Sequence, residues 1–273
     1  MGSSFSIGKL ELRDVSPLLL SGIRFTLAGL MMAAAVRRRP HPRNVRQWLK
    51  VVLIGLFQTT GVMGFIFISL RTITASEASI LLFTNPILVV LLATLFLRTR
   101  YRLIQWLGVV LGFSGILITL GLHLDLRLGT VLGLLGSVSW AVATVLIKRW
   151  GDMFDTWTLN AYQMLAGGLT LLVLSPILEH PLLVVTGMSV SLILWLAIMA
   201  SVIQFTLWFW LLQNGDAAQT SALLFLAPFF GVLSGWIILG EGLTRCVVIG
   251  GIFIAVGIFL VNRSSPTKVA AEP

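Results

Sequence analysis

The residue best placed to do chemistry is Arg24, an arginine about seven residues into a stretch, 17–36, that is otherwise apolar. Placing an arginine inside a bilayer costs at least ~2.5–3.5 kcal/mol, so it must face a polar cavity, a bundle interior or a partner on another helix. Two roles fit it. One is a counter-charge for a solute carboxylate. The other is structural: donation to helix-end carbonyls, or a reach toward the outer surface.

A second group is polar and lies inside apolar runs: Gln58, Thr59, Thr60, Asn85, Asn160, Gln163 and Gln204. Such groups need partners where water is absent. They either hold a zwitterionic solute or lace helices together, the latter at an average of ~0.6 kcal/mol each. Gln58, Asn85 and Gln204 come nearest the middle of their runs. A third group is aromatic: Phe65, Phe83, Trp140, Tyr162, Trp208 and Trp210. Trp140 is too deep in its run for interfacial anchoring. It reads as a cavity wall or cation–π partner, with helix or lipid packing as the alternative. Trp48, Trp106, Trp150 and Trp157 lie near run ends, where aromatic belts form. The candidate solute-binding set is therefore Arg24, Gln58, Thr60, Phe65, Asn85, Trp140, Tyr162, Gln163, Gln204 and Trp208.

Other chemistries find no support. The sequence has no P-loop, no HExxH, no Cys/His cluster and no Gly-Xaa-Ser-Xaa-Gly elbow. No catalytic residue, metal or cofactor is expected. Gly108, Gly112 and Gly115 sit in an apolar run, where small residues permit close helix contact. Proton coupling needs a titratable group in the pathway, and the run interiors offer none. Glu77 is the best-placed candidate, with a facilitator driven by the solute gradient as the alternative.

These residues must be positioned by membrane helices. The chain has 273 residues, 57% hydrophobic and only 11% charged, with mean hydropathy +0.99. A soluble chain carries about 25% charged residues, so the apolar surface here has to face lipid. A lone cysteine, Cys246, rules out an internal disulfide. No cleavable signal-peptide pattern opens the chain. The net charge of +9 does not point to nucleic acid, because Arg37, Arg38, Arg39, Arg43, Arg46 and Lys50 cluster between two apolar runs. Basic clusters of that kind mark cytoplasmic loops.

A bilayer core needs roughly 20 apolar helical residues per crossing. Nine runs qualify: 17–36, 51–70, 75–97, 104–122, 128–147, 157–178, 190–212, 217–239 and 246–261. Taking the intervening loops alternately, one set holds thirteen Lys and Arg and the other five. The richer set is cytoplasmic by the positive-inside rule, which places the C-terminus inside.

The runs repeat. An offset of 139 lays Lys9 on Lys148 and Gly29 on Gly168. An offset of 142 lays Ala75, Ser79, Leu81, Leu82, Phe83 and Pro86 on Ala217, Ser221, Leu223, Leu224, Phe225 and Pro228. The same offset pairs Gly108 with Gly250 and Gly115 with Gly257. The two halves read as copies of a five-helix unit, and an odd helix number inverts the second copy in the membrane. The fold class is an all-α polytopic membrane protein of two inverted repeats, spanning 1–122 and 128–261, followed by a cytoplasmic tail, 262–273. Pro86 and Pro228 occupy matching positions and are candidate hinges, since each removes a backbone hydrogen bond. In this register Trp140 meets Met1, so the first helix is expected to lack roughly its first half.

Gly2-Ser3-Ser4-Phe5, Ser16-Pro17-Leu18 and Gly22-Ile23-Arg24-Phe25 resemble the first repeat of EamA-type carriers in the drug/metabolite transporter superfamily. So does the stretch from Ser221-Ala222-Leu223-Leu224 through Pro228 to Leu239-Gly240-Glu241. The similarity runs over essentially the whole chain. It implies ten helices in two inverted repeats, a cytoplasmic-membrane location, and export of amino acids, related metabolites or toxic compounds. The chain departs from it at Arg98-Thr99, the counterpart of Gly240-Glu241, and in its short first helix. The expectation is a secondary transporter exporting small organic metabolites by alternating access. The alternative is a truncated, transport-incompetent carrier or a membrane-assembly subunit. Expected partners are membrane lipids, a small organic solute and, if transport is coupled, a proton or other ion. A homodimer is compatible with this reading and nucleic acid is not.

Overall fold

The computed structural model describes residues 3–12, 14–96, 101–119, 127–207, 226–240, 242 and 244–262. Among them the chain is helical, and Val15 and Leu183 form an isolated antiparallel bridge. In chain order the helices are α1 (Ser3–Glu11), α2 (Pro17–Ala35), α3 (Val45–Ser69), α4 (Ala75–Leu82), α5 (Asn85–Phe96) and α6 (Leu103–Thr119). After residues 120–126 come α7 (Leu128–Trp150), α8 (Thr156–Leu178), α9 (Gly187–Leu207), α10 (Leu226–Leu239) and α11 (Arg245–Asn262). Six segments are long and apolar enough to cross a bilayer, and three shorter apolar helices accompany them. Large side chains such as Leu95, Leu103, Val173 and Ile177 stand exposed on the outside of the bundle. In a water-soluble protein that much exposed apolar surface would aggregate; here it is the lipid-facing coat.

The repeat appears as reciprocal contacts. Helix α2 packs on α8, its counterpart in the other half. A Cβ built on Gly29 would lie 2.6 Å from the Leu165 backbone nitrogen, and one on Gly168 would lie 2.5 Å from that of Thr26. Thr26 and Leu165 are themselves 139 apart, so the two contacts exchange under the repeat. Helices α6 and α11 pair in the same way. A Cβ on Gly108 would meet the Gly257 carbonyl at 2.6 Å, and one on Gly115 would meet the Gly250 carbonyl at 2.7 Å. A twofold interface has this property: residue i meets j, and the equivalent of i meets the equivalent of j. Only glycine lets the backbones come this close.

The run at 75–97, read from sequence as one helix, is divided. Helix α4 opens on a capping box, in which the Glu77 amide donates to Thr74 Oγ1 and the Thr74 amide donates to the Glu77 carboxylate. It stops at Leu82. Proline disfavours helical geometry in the residue before it and has no N–H to give, so a new helix, α5, starts at Asn85-Pro86. Ser137 of α7 serves the break, donating to the Leu82 carbonyl at 3.3 Å and pairing with the Thr84 hydroxyl at 3.0 Å.

Helices α3 and α9 share a defect that the apolar pattern gave no sign of. Each contains one π turn, Leu56–Gly61 and Ile198–Ile203, and these are 142 residues apart at both ends. The Val62 amide reaches back to the Phe57 carbonyl, and the Gln204 amide to that of Met199. A π turn therefore leaves the next carbonyl along without its usual α-helical donor.

Connections close the bundle at its ends. The Glu179 carboxylate accepts from the Leu18 and Leu19 amides at 3.0 and 3.1 Å, where a negative charge suits the start of α2. Ser16 donates its amide to Leu182 O and accepts the Leu182 amide on its hydroxyl. At the start of α8, Asp155 accepts from the Thr158 amide and hydroxyl and from Arg39 at 3.0 Å.

The α6–α11 contact predicts that Gly257→Leu forces the two backbones apart at a cost of about 1–3 kcal/mol or more. Thermal unfolding in detergent should fall clearly for Gly257→Leu and stay level for Gly242→Ala, where a Cβ meets open space. Asp155 makes a pH prediction. Burial acts to raise its pKa, but the hydrogen bonds from Thr158 and the pairing with Arg39 outweigh it and hold the carboxyl below its ordinary value. Its contribution is thus complete above the ordinary aspartate range and is lost as pH falls through the lowered value. Between about pH 6 and about pH 3 the wild-type midpoint should drop further than that of Asp155→Asn.

Candidate functional site

A small, partly open cavity lies between the two halves. Helix α2 supplies Arg24; α3 supplies Gln58, Val62, Met63 and Phe67. Leu82 and Phe83 enter from the break after α4, Trp140 from α7, and Gln204 and Phe205 from α9. Both π turns thus border it. Helix α3 gives Gln58 from inside its turn and Val62 just after it, and α9 gives Gln204 just after its own.

Arg24 is 2% exposed. Its Nε donates to Ser201 Oγ at 2.7 Å and its Nη2 to the Ala200 carbonyl at 2.7 Å. In an unbroken α-helix the Ala200 carbonyl would accept from the Gln204 amide, which here goes to Met199 instead. The π turn thus frees the carbonyl that the guanidinium takes. The guanidinium carbon also sits 4.7 Å from the centre of the Phe25 ring, which meets Phe205 edge-on at 6.4 Å. Arg24 therefore binds a helix carbonyl, the structural role expected of it, and lines the cavity as well.

Its repeat counterpart makes the matching contact. Gln163 lies 139 residues after Arg24, and Thr59 lies 142 before Ser201. Thr59 Oγ1 donates to Gln163 Oε1 at 2.8 Å, the same pair of positions with the donor reversed, since Arg24 donates to Ser201. Gln163 then donates to Asn160 Oδ1 at 3.0 Å. One repeat carries a cation at this point and the other a neutral amide.

Of the sequence candidates, the structure brings Arg24, Gln58, Trp140 and Gln204 together at the cavity. Phe83, also singled out, joins them and meets Trp140 edge-on at 5.9 Å. The others lie elsewhere. The Thr60 hydroxyl is given to the Gly167 carbonyl at 3.1 Å. Phe65 is half-buried, with its Cβ near where one on Gly136 would be. Asn85 is buried beside the break, and its Nδ2 has no hydrogen-bond partner among the described residues. Tyr162 packs edge-on against Trp48 and His41, at 4.8 and 5.7 Å. Trp208 lies outside the described residues, as does Trp210. Pro86 is the second residue of α5 and Pro228 the third of α10. The Glu77 carboxylate is engaged in the cap of α4.

Sequence reading missed Val62, Met63, Phe67, Leu82 and Phe205. Their apolar character matches that of the lipid-facing residues, so only the fold separates them. It also passed over Glu11, 1% exposed, whose carboxylate oxygens have no hydrogen-bond partner among the described residues.

The cavity's chemistry is one fixed cation, two side-chain amides and an apolar, partly aromatic wall. No acidic residue is among the described residues lining it, and no group of three or more His, Cys, Asp or Glu that could hold a metal occurs among the described residues. Its described lining can orient a small organic molecule.

The chain is similar to YoaV of Bacillus subtilis strain 168, named an uncharacterized transporter, at 26% identity covering 92% of this chain and 89% of the relative. It is 27% identical to the uncharacterized inner membrane transporter YedA of Escherichia coli K12, covering all of this chain and 91% of the relative. A solved crystal structure matches the fold with a TM-score of 0.70 at 22% identity, covering 95% of this chain and 92% of that one. Residues 1–121 and 127–263 each match the EamA-like transporter family. With two repeats of apolar helices around one shared cavity, this multi-pass membrane protein belongs to the EamA-like transporter family.

Proposed function

We propose that the protein is a secondary carrier that exports small organic metabolites across the cytoplasmic membrane by alternating access around this cavity. The observation that carries the reading is the cavity itself: both repeats build it, and it gathers Arg24, Gln58 and Gln204 among aromatic side chains. Inverted repeats allow two states of similar energy with opposite openings, and a solute site between them is then reachable from each side in turn. In this reading Arg24 is the counter-charge for a solute carboxylate, and Gln58 and Gln204 orient the rest of its polar part. The helix break before Pro86 and the matching Pro228 serve as hinges. The richer Lys/Arg loops and the C-terminus face the cytoplasm. The name of the Escherichia coli relative, an inner membrane transporter, supports the cytoplasmic-membrane location. Glu77 is the coupling group if transport is proton-driven.

Reconstituted protein should move a solute that protects an efflux-deficient host. Arg24→Gln and Gln58→Ala should each lower that flux at least ~10-fold, equivalent to about 1.4 kcal/mol, at unchanged membrane abundance. Glutamine is the native residue at the repeat-equivalent position, so Arg24→Gln keeps a hydrogen-bonding side chain there. Wild-type flux in both variants would remove these residues from the site. Glu77→Gln preserves the cap, so a pH dependence of flux that survives it would exclude Glu77 from coupling.

A further inference from the structure

The charge balance of the cavity narrows the solute, on the reading that this cavity is the transport site. Arg24 brings a fixed positive charge, and no acidic side chain is among the described residues lining the cavity. In the whole sequence the ten Asp and Glu residues all fall at helix ends or in connections by the sequence pattern, and none lies within the interior of an apolar run. The described ion pairs join Arg39 to Asp155 and Arg71 to Glu179, away from Arg24. A guanidinium carries five N–H donors. Two are committed, to Ala200 and Ser201, and the rest are open to a ligand. The side chains of Gln58 and Gln204 make no hydrogen bond among the described residues, so their side-chain amides can donate too. Everything else at the wall is apolar.

This arrangement suits a carboxylate, which accepts two parallel hydrogen bonds from a guanidinium and satisfies a cation that burial has stripped of water. It does not suit an ammonium group. An α-ammonium sits within a few ångströms of its own carboxylate, so it would enter the field of Arg24 with only neutral oxygens to receive it. Like charges at such range in a partly buried site repel.

We propose that the cavity selects small organic monoanions with an aromatic or branched apolar body and no ammonium group. Zwitterionic amino acids and organic cations are the classes it disfavours. Arg24 supplies the anion site, and the Phe83–Trp140 pair with Phe67 and Phe205 receives the apolar body.

Three probes share one phenylethyl skeleton and differ only in charge: 3-phenylpropionate, phenylalanine and 2-phenylethylamine. Binding to the full chain in detergent is measured by calorimetry near neutral pH, and flux by counterflow in proteoliposomes. The expected result is that 3-phenylpropionate binds at least ~10-fold more tightly than phenylalanine, that 2-phenylethylamine does not bind, and that Arg24→Gln abolishes the preference while circular dichroism and gel filtration stay unchanged. Phenylalanine binding as tightly as 3-phenylpropionate, binding of the amine, or failure of 3-phenylpropionate to bind would overturn the assignment. So would an Arg24→Gln variant that keeps the preference. Flux separates the two readings. Phenylalanine carried in preference to the anion sinks the anion assignment and keeps the carrier. Tight anion binding without flux of any probe keeps the assignment and sinks the carrier.

Discussion

A buried guanidinium needs acceptors, and in this bundle they come from a helix that has given up one of its own hydrogen bonds. The π turn in α9 diverts the Gln204 amide to Met199 and leaves the Ala200 carbonyl to Arg24. Ser201 beside it takes the Nε proton. Arg24 can therefore sit within α2, 2% exposed, without an acidic partner among the described residues. That contact ties α2 to α9, and the guanidinium it holds gives the cavity its charge.

The other repeat holds the same contact without the charge. Gln163 and Thr59 stand where Arg24 and Ser201 stand, beside the π turn of α3. A symmetric frame thus carries an asymmetric site. The frame is kept by glycines where equivalent helices cross, α2 on α8 and α6 on α11, because any side chain would hold those backbones apart. A single Arg-for-Gln difference on such a frame gives the shared cavity its sign. Polar groups that the cavity does not use are turned to structure: Thr60 on Gly167, Gln163 on Asn160, Glu77 on Thr74.

Much of the architecture was legible from residue types. Low charge and long apolar runs dictate membrane helices, and the two offsets, carried by Pro, Gly and Lys, dictate the repeat. Arg24, Gln58, Trp140 and Gln204 were legible as candidates, and they line the cavity, because a polar or amphipathic side chain deep in an apolar run is costly unless it has a partner. Thr60, Tyr162 and Gln163 show the limit of that logic. The same cost is met by a carbonyl one helix away or by two neighbouring rings, and residue type does not distinguish a solute from a neighbour.

What the sequence determined by itself, then, is the solvent and the repeat symmetry, since these depend on composition and periodicity summed over many residues. The tertiary structure decided which polar groups line the cavity. It did so through two π turns that no hydrophobic pattern records and a helix break at Phe83–Thr84 within an unbroken apolar run. It also drew Phe67 and Phe205 to the cavity from among many similar apolar side chains. Those outcomes rest on distances of a few ångströms between segments far apart in the chain. Arg24 and Ala200 are 176 residues apart, and only the packed bundle sets them hydrogen-bonded.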